Sequence, residues 1–109
     1  MDEIIKKLER LEYHQKLLIN MLQYSNEPFT KLIVLKGLSE EEVCTFHSLC
    51  EELSNKLEEQ KAEGFVYFNP LLEEFSNRIN AKLQVRETVE ACYQQRLHVE
   101  LMSEFIKLL

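Results

Sequence analysis

The sequence predicts an all-α protein of about five or six helices, with a long N-terminal helix and a single domain over residues 1–109. Two glycines and two prolines in the whole chain are too few for the many turns of a β fold. Apolar residues recur at helical spacing in several stretches, and a capping pattern marks the start of one of them. We expect a modest core, because a chain of this length buries only about two-thirds of its unfolded surface.

The charge distribution argues against a nucleic-acid partner. The chain carries a formal net charge of −6, and nine acidic against four basic residues fall between positions 25 and 64. Proteins that bind nucleic acids cluster Lys and Arg to neutralise phosphates, whereas the largest basic cluster here is Lys6-Lys7. We therefore expect no nucleic-acid binding.

Membrane insertion and secretion are not predicted either. The longest apolar runs, Leu17–Ile19 and Leu32–Leu35, fall far short of the roughly 18 residues that span a bilayer. The start of the chain lacks the basic and apolar segments of a signal peptide. Three cysteines, Cys44, Cys50 and Cys92, are an odd number in a chain without an export signal, so we expect free thiols and a cytoplasmic protein.

The N-terminal segment has the spacing of a coiled-coil helix. Alternating steps of four and three residues connect six positions, here called the N-terminal seam: Ile4, Leu8, Leu11, Gln15, Leu18 and Leu22. Further apolar residues such as Ile5, Tyr13 and Leu17 lie on other sides of the same helix. A helix from Asp2 to Gln23 would be about 33 Å long, as wide as a whole compact domain of this size. We therefore predict that the N-terminal seam is an interface between copies of the chain.

Gln15 is the polar member of the N-terminal seam. A polar residue at a core position of a coiled coil lowers stability but can specify the register and the number of strands. Gln15 therefore either specifies the assembly or marks a turn of the helix that faces solvent.

Local signals divide the middle of the chain into two helices. Ser25–Pro28 offers capping residues and a first-turn proline for a short helix that ends at Gly37. Ser39 stands three residues before Glu42, the pattern of a capping box, so a long helix should begin immediately after Ser39 and end near Gly64. Its apolar spacing matches that of the first helix, which suggests an antiparallel pair within the chain or a pair between chains.

The C-terminal half is predicted to contain three shorter helices. Phe65–Phe68 is too short for a separate strand, and we expect its apolar side chains to fill the core in preference to forming a binding site. Asn69 and Pro70 are a cap and a first turn for a helix that ends near Asn77. Two amphipathic stretches follow, the first with Val85, Val89, Cys92 and Tyr93, the second with Leu101, Met102, Phe105, Leu108 and Leu109.

No catalytic or metal-binding motif is evident. Cys44, His47 and Cys50 share one helix, but steps of three residues spread the outer two by about 120°, so one ion would not suit all three. His14 has no facing carboxylate, and it is expected, like His98, at the surface or in an interface. The paired glutamates are typical of a solvated helix face, with a divalent metal or a basic partner as the alternative. We predict no cofactor, no metal and no catalytic residue.

Six segments spread along nearly the whole chain carry a family likeness: Met1–Glu9, Leu11–Tyr13, Leu38–Val43, Leu49–Leu53, Glu63–Val66 with Pro70–Leu72, and Leu101–Phe105. In this order they resemble the uncharacterised YhaI-like family of Bacillus-type bacteria. The resemblance implies a multihelical subunit in an intertwined homo-oligomer, with a trimer as the first choice, and it implies no established activity. The family pattern would have an acidic cap at Gln84 and a glycine near Arg96, so both departures concern the bounds of the fifth helix.

Two classes of function remain open. The first is a non-enzymatic protein that self-assembles and acts as an adaptor or regulator through an unidentified protein partner. The N-terminal seam and the matching apolar spacing of the long helix after Ser39 favour this class. The second is a small-molecule binder or an enzyme whose site forms at a subunit interface, from carboxylates, Tyr13 or His14 of different chains. A cleft lined by these groups in the assembled protein would favour the second class.

Overall fold

The helices of the chain begin and end close to the local signals in its sequence. The computed structural model describes residues 1–24 and 26–109, and these residues form six helices and no strand. The helices are α1 (Asp2–Leu22), α2 (Pro28–Lys36), α3 (Glu40–Ala62), α4 (Asn69–Arg78), α5 (Val85–Gln94) and α6 (Val99–Leu108). The predicted all-α class, with a long first helix, is therefore confirmed for the described residues. No helix among them is both long and apolar enough to cross a membrane.

α3 begins at the predicted capping box. The Ser39 hydroxyl accepts a hydrogen bond from the Glu42 amide at 3.1 Å, and the Glu42 carboxylate accepts one from the Ser39 amide at 3.0 Å. The same carboxylate accepts hydrogen bonds from Asn80 and Lys82. The bond from the Ser39 amide, followed by those from Asn80 and Lys82, lowers the pKa of Glu42 to about 2, because each favours the charged form. The start of α3 is thereby connected to the segment between α4 and α5.

Glycine ends both α2 and α3, as predicted. Gly37 has a φ of 68° and Gly64 a φ of 91°, in the left-handed region that costs glycine little. The Leu38 amide then donates to the Ile33 carbonyl at 3.0 Å, and the amide that follows Gly64 makes the equivalent bond at 2.9 Å. These bonds satisfy carbonyls that a helix end would otherwise leave unpaired.

The N-terminus of α2 is capped from a distant part of the chain. Gln95 Oε1 accepts hydrogen bonds from the Phe29 amide at 2.8 Å and the Thr30 amide at 3.0 Å, while its Nε2 donates to the Thr30 hydroxyl at 3.0 Å. Glu27 is the N-cap residue and makes no capping bond with its side chain. Pro28 lies in the first turn as predicted, but the N-cap is Glu27 and not the cap-type residue Asn26, and Ser25 lies outside the described residues.

The bounds of α4 and α5 differ in detail from the prediction. α4 begins at Asn69 with Phe68 as its N-cap, so Asn69 is not the capping residue. Gln84 is the N-cap of α5 and makes no capping bond with its side chain. After α5, Arg96 has a φ of 62°, the conformation that glycine adopts after α2 and α3. An arginine thus stands where the helix end favours glycine.

The core lies where α3, α4 and α6 pack together and α5 packs on α2 and α6. Aromatic rings form a row through it, with centroid distances of 4.9 Å for Phe29–Phe46, 6.1 Å for Phe46–Phe75 and 5.1 Å for Phe75–Phe105. Each of the four rings comes from a different helix. Because α3 uses its apolar face here and α1 packs mainly on α2, the antiparallel pairing of α1 with α3 inside one chain is wrong.

Thr88 on α5 is fully buried, and its hydroxyl has no hydrogen-bond partner within the described residues. Because an unsatisfied buried polar group costs about 1–3 kcal/mol, Thr88→Val should raise the free energy of unfolding by about 1 kcal/mol in urea denaturation. Thr45→Val, at an exposed position of α3, is the control and should give no such gain. A less stable Thr88→Val variant would show that the hydroxyl is satisfied in solution.

Candidate functional site

α1 stands apart from the rest of the fold. None of its residues is buried, and its contacts are mainly with α2. The described chain measures 62 Å along its longest axis but 28 and 17 Å along the others. Its radius of gyration is 17.2 Å, compared with about 13 Å for a compact domain of this length. α1 therefore projects from the core that α2–α6 build.

The six residues of the N-terminal seam all lie on this projecting helix. Ile4, Leu8, Leu11, Gln15 and Leu18 are exposed, and Leu22, close to α2, is half-buried. The exposed fractions of the apolar residues in the exposed group lie between 58% and 63%. A row of such side chains is typical of an interaction surface, because monomeric proteins rarely expose large apolar patches. The assignment of the seam as an interface between copies stays a prediction.

A second apolar stripe lies on another side of α1. It consists of Tyr13, Leu17 and Met21, whose exposed fractions are 60%, 44% and 68%. At 100° per residue, its centre is roughly 140° around the helix from the N-terminal seam. A single neighbouring helix could cover one of these stripes but not both.

The titratable groups of α1 form no enclosed site within the described part of one chain. The rings of Tyr13 and His14 are 6.0 Å apart, and both residues are exposed. Glu12 forms an ion pair with Lys16 at 3.8 Å. Exposed pairs of this kind contribute little to stability, and nothing here orients a carboxylate towards the His14 ring.

The cysteines and histidine of α3 face different environments. Cys44 is exposed, His47 is half-buried and Cys50 is completely buried. Among the described residues, no three potential ligands come together in a way that could hold a metal ion. Burial, followed by the neighbouring Cys92, raises the pKa of the Cys50 thiol, and burial raises the pKa of Cys92 to about 12. Both thiols are therefore protonated and act as small apolar side chains.

His47 contacts His98, and no pattern in the sequence connects the two residues. Its Nδ1 lies 2.9 Å from Nε2 of His98, and the ring centroids are 5.2 Å apart. Burial, followed by the charge on His47, lowers the pKa of His98, while Glu51 raises it. His98 is half-buried in the single chain and contacts His47 of α3, so it is not a fully exposed surface residue, and its position in an interface stays a prediction. The two residues are 51 positions apart, and no local pattern indicates the contact.

The segment between α3 and α4 is largely exposed. Phe65, Val66 and Tyr67 are 53%, 91% and 65% exposed, and only Phe68 is buried, with the Lys61 ammonium 5.9 Å from its ring centroid. The prediction that this segment fills the core is therefore wrong for Phe65 and Val66.

Comparison with protein families identifies the family of the chain. A family model matches residues 1–109, which is the whole sequence, so the match includes the projecting α1 as well as α2–α6. The family is described as a protein of unknown function, and that description names no reaction or ligand. The chain belongs to this uncharacterised family, DUF1878.

Proposed function

We propose that the protein is a non-enzymatic, self-assembling helical subunit that acts as an adaptor or regulator through protein–protein contacts. The observation that carries this proposal is α1, which presents a long apolar row and buries none of its residues in its own chain. Isolated helices are only marginally stable in water, so a neighbouring surface would stabilise α1. The N-terminal seam is the proposed contact between copies.

The proposed assembly contains three copies. In a closed trimer the N-terminal seam of each α1 would face the other two copies at the three-fold axis, and the second stripe, on another side of α1, would pack on a further segment of a neighbouring chain. In the heptad of the seam, the a positions carry Leu8, Gln15 and Leu22 and the d positions carry Ile4, Leu11 and Leu18, and the first pair, Leu at a with Ile at d, is of the kind that favours more than two strands. Two of the three flanking e positions carry Ile5 and Ile19, where two-stranded coiled coils often carry charged residues, and the third carries Glu12.

We further propose that the chain is a YhaI-like protein of a Bacillus-type bacterium and that residues 1–109 form one domain of an intertwined homo-oligomer. The support is the likeness of the six segments described above. A cytoplasmic location goes with this proposal, since all three cysteines are free and Cys44 is exposed. Exposed thiols stay free most readily in a reducing compartment.

Sedimentation velocity and light scattering on the pure protein test the assembly. We expect one species with three times the mass of the 13.0 kDa chain, and its dissociation on dilution should be accompanied by loss of amide protection in α1. A folded monomer at low micromolar concentration, with α1 still protected from exchange, would overturn the proposal.

Gln15→Leu tests the role of the polar seam residue. Gln15 is exposed in the single chain, so an apolar replacement gains burial only in the assembly, by about 1.5–3 kcal/mol per chain. We expect a higher melting temperature together with a broader distribution of oligomers, because the residue that specifies register is lost. Gln23→Leu, just after α1 and outside the seam, is the control. An unchanged melting temperature with one unchanged species in sedimentation would contradict this prediction.

A further inference from the structure

His47 and His98 share a hydrogen bond that depends on their protonation. At 2.9 Å between Nδ1 of His47 and Nε2 of His98, one nitrogen must donate and the other accept. When both rings are charged, both nitrogens carry protons and neither can accept. The bond therefore exists only while at least one of the two imidazoles is neutral.

The bond lies beside a strained turn. Arg96 has a φ of 62° and His98 a φ of 50°, and residues other than glycine are uncommon in this left-handed region, so their surroundings help to hold them there. Two of the contacts that hold this turn are hydrogen bonds. The Leu97 amide donates to the Cys92 carbonyl at 2.9 Å, and the His98 ring is joined to α3 through His47.

The surroundings of His98 favour its neutral form. Burial and His47 lower its pKa, and Glu51 on α3 opposes them. The nearest charged residues along the chain, Arg96 and Glu100, are exposed. His98 is also the N-cap of α6, where the helix dipole disfavours positive charge. From α2, the uncharged ring of Phe29 lies 5.9 Å from the ring of His47.

The turn at Arg96–His98 is also connected, through Gln95, to α2, on which α1 packs. Gln95, one residue before Arg96, holds the amides of Phe29 and Thr30 at the start of α2, and α1 packs on α2. We propose that protonation of both imidazoles of the His47–His98 pair releases the turn at Arg96–His98 and the Gln95 cap of α2, so that acidification weakens the support that α2 gives to α1. This latch acts within one chain and does not depend on the proposed self-assembly.

The sign of the effect follows from the lowered pKa of His98. The unfolded or opened chain titrates near the ordinary value of 6.5 and takes up the proton first as the pH falls. The stabilisation from the latch is therefore complete above about pH 6.5 and decreases below it. Carboxylates such as Glu42, whose pKa is lowered from 4.5 to about 2, titrate at lower pH, so the two effects are separable.

Amide hydrogen exchange of the full chain, followed by NMR at about pH 7.5 and about pH 5.5 and corrected for intrinsic rates, tests the latch. We expect the protection of the Phe29, Thr30 and Leu97 amides to fall on acidification, by at most about tenfold per pH unit for one proton. The amide of Leu53, in the middle of α3, should keep its protection. An equal loss at all four amides, or a loss at none, would overturn the proposal.

Two histidine variants separate the latch from general effects of pH. His98→Asn places at this position a residue that tolerates the left-handed conformation and can form a hydrogen bond with His47. Because asparagine does not titrate, the protection of the Phe29, Thr30 and Leu97 amides in this variant should be the same at both pH values. His14→Asn removes an exposed histidine of α1 and should keep the wild-type response. A pH response that persists in His98→Asn would overturn the proposal. The titration of the His98 ring protons in the wild type is a second readout, and its midpoint should lie below 6.5.

Discussion

Leu11→Asp is expected to convert the protein into a monomer whose core remains folded. Leu11 is 63% exposed on α1 and belongs to the N-terminal seam, so the substitution removes no contact with the core. In the proposed trimer it removes about 1.5–3 kcal/mol of burial from each of three chains and brings three carboxylates together. The association constant should therefore fall by at least about 10³-fold, as measured by sedimentation equilibrium.

A matched control adds the same negative charge to α1 at a position outside the N-terminal seam. Asn20→Asp lies on α1 outside the N-terminal seam, is exposed and adds the same single negative charge, so it should assemble like the wild type. Near-ultraviolet circular dichroism should show the same aromatic core in both variants. Equal association of Leu11→Asp and the wild type would exclude the seam as the interface, whatever the size of the assembly.

The elements that sequence reasoning predicted well depend on residues that are close together in the chain. The start of α3 needs only Ser39 and Glu42, three residues apart, and the ends of α2 and α3 need only a glycine that tolerates a positive φ. The stripe on α1 follows from helical spacing in the same way. For the candidate site, spacing therefore predicted which residues share a face, and the structure leaves that face exposed.

The features that could not be predicted rest on contacts between distant residues. Gln95 caps α2 across 66 positions, and His47 meets His98 across 51, so neither arrangement has a local pattern. Arg96 occupies a conformation that its residue type disfavours, because the packing of α5 and α6 determines the turn. The exposure of Phe65 and Val66 was missed for a related reason. Apolar residue types favour burial, but they do not indicate whether a side chain in a short connecting segment points towards the core.

Phe75→Ala is expected to be the most destabilising single change in the core. Phe75 is fully buried on α4, and its ring lies 6.1 Å from that of Phe46 and 5.1 Å from that of Phe105. Truncation of a buried phenylalanine costs about 3–5 kcal/mol, a large share of the about 5–15 kcal/mol by which small domains are stable. The melting temperature should fall by about 12 °C or more.

Urea and thermal denaturation measure this loss, and the chain offers a control with the same chemistry. Phe65→Ala removes the same ring from a side chain that is 53% exposed, so it should cost less than about 1 kcal/mol. Similar losses in the two variants would contradict the role of the aromatic row. Both are best measured in the Leu11→Asp background, because dissociation then does not contribute to unfolding. If the core depends on Phe75 and not on Leu11, the stability of α2–α6 does not need the N-terminal seam, which leaves the apolar face of α1 available for a neighbouring chain.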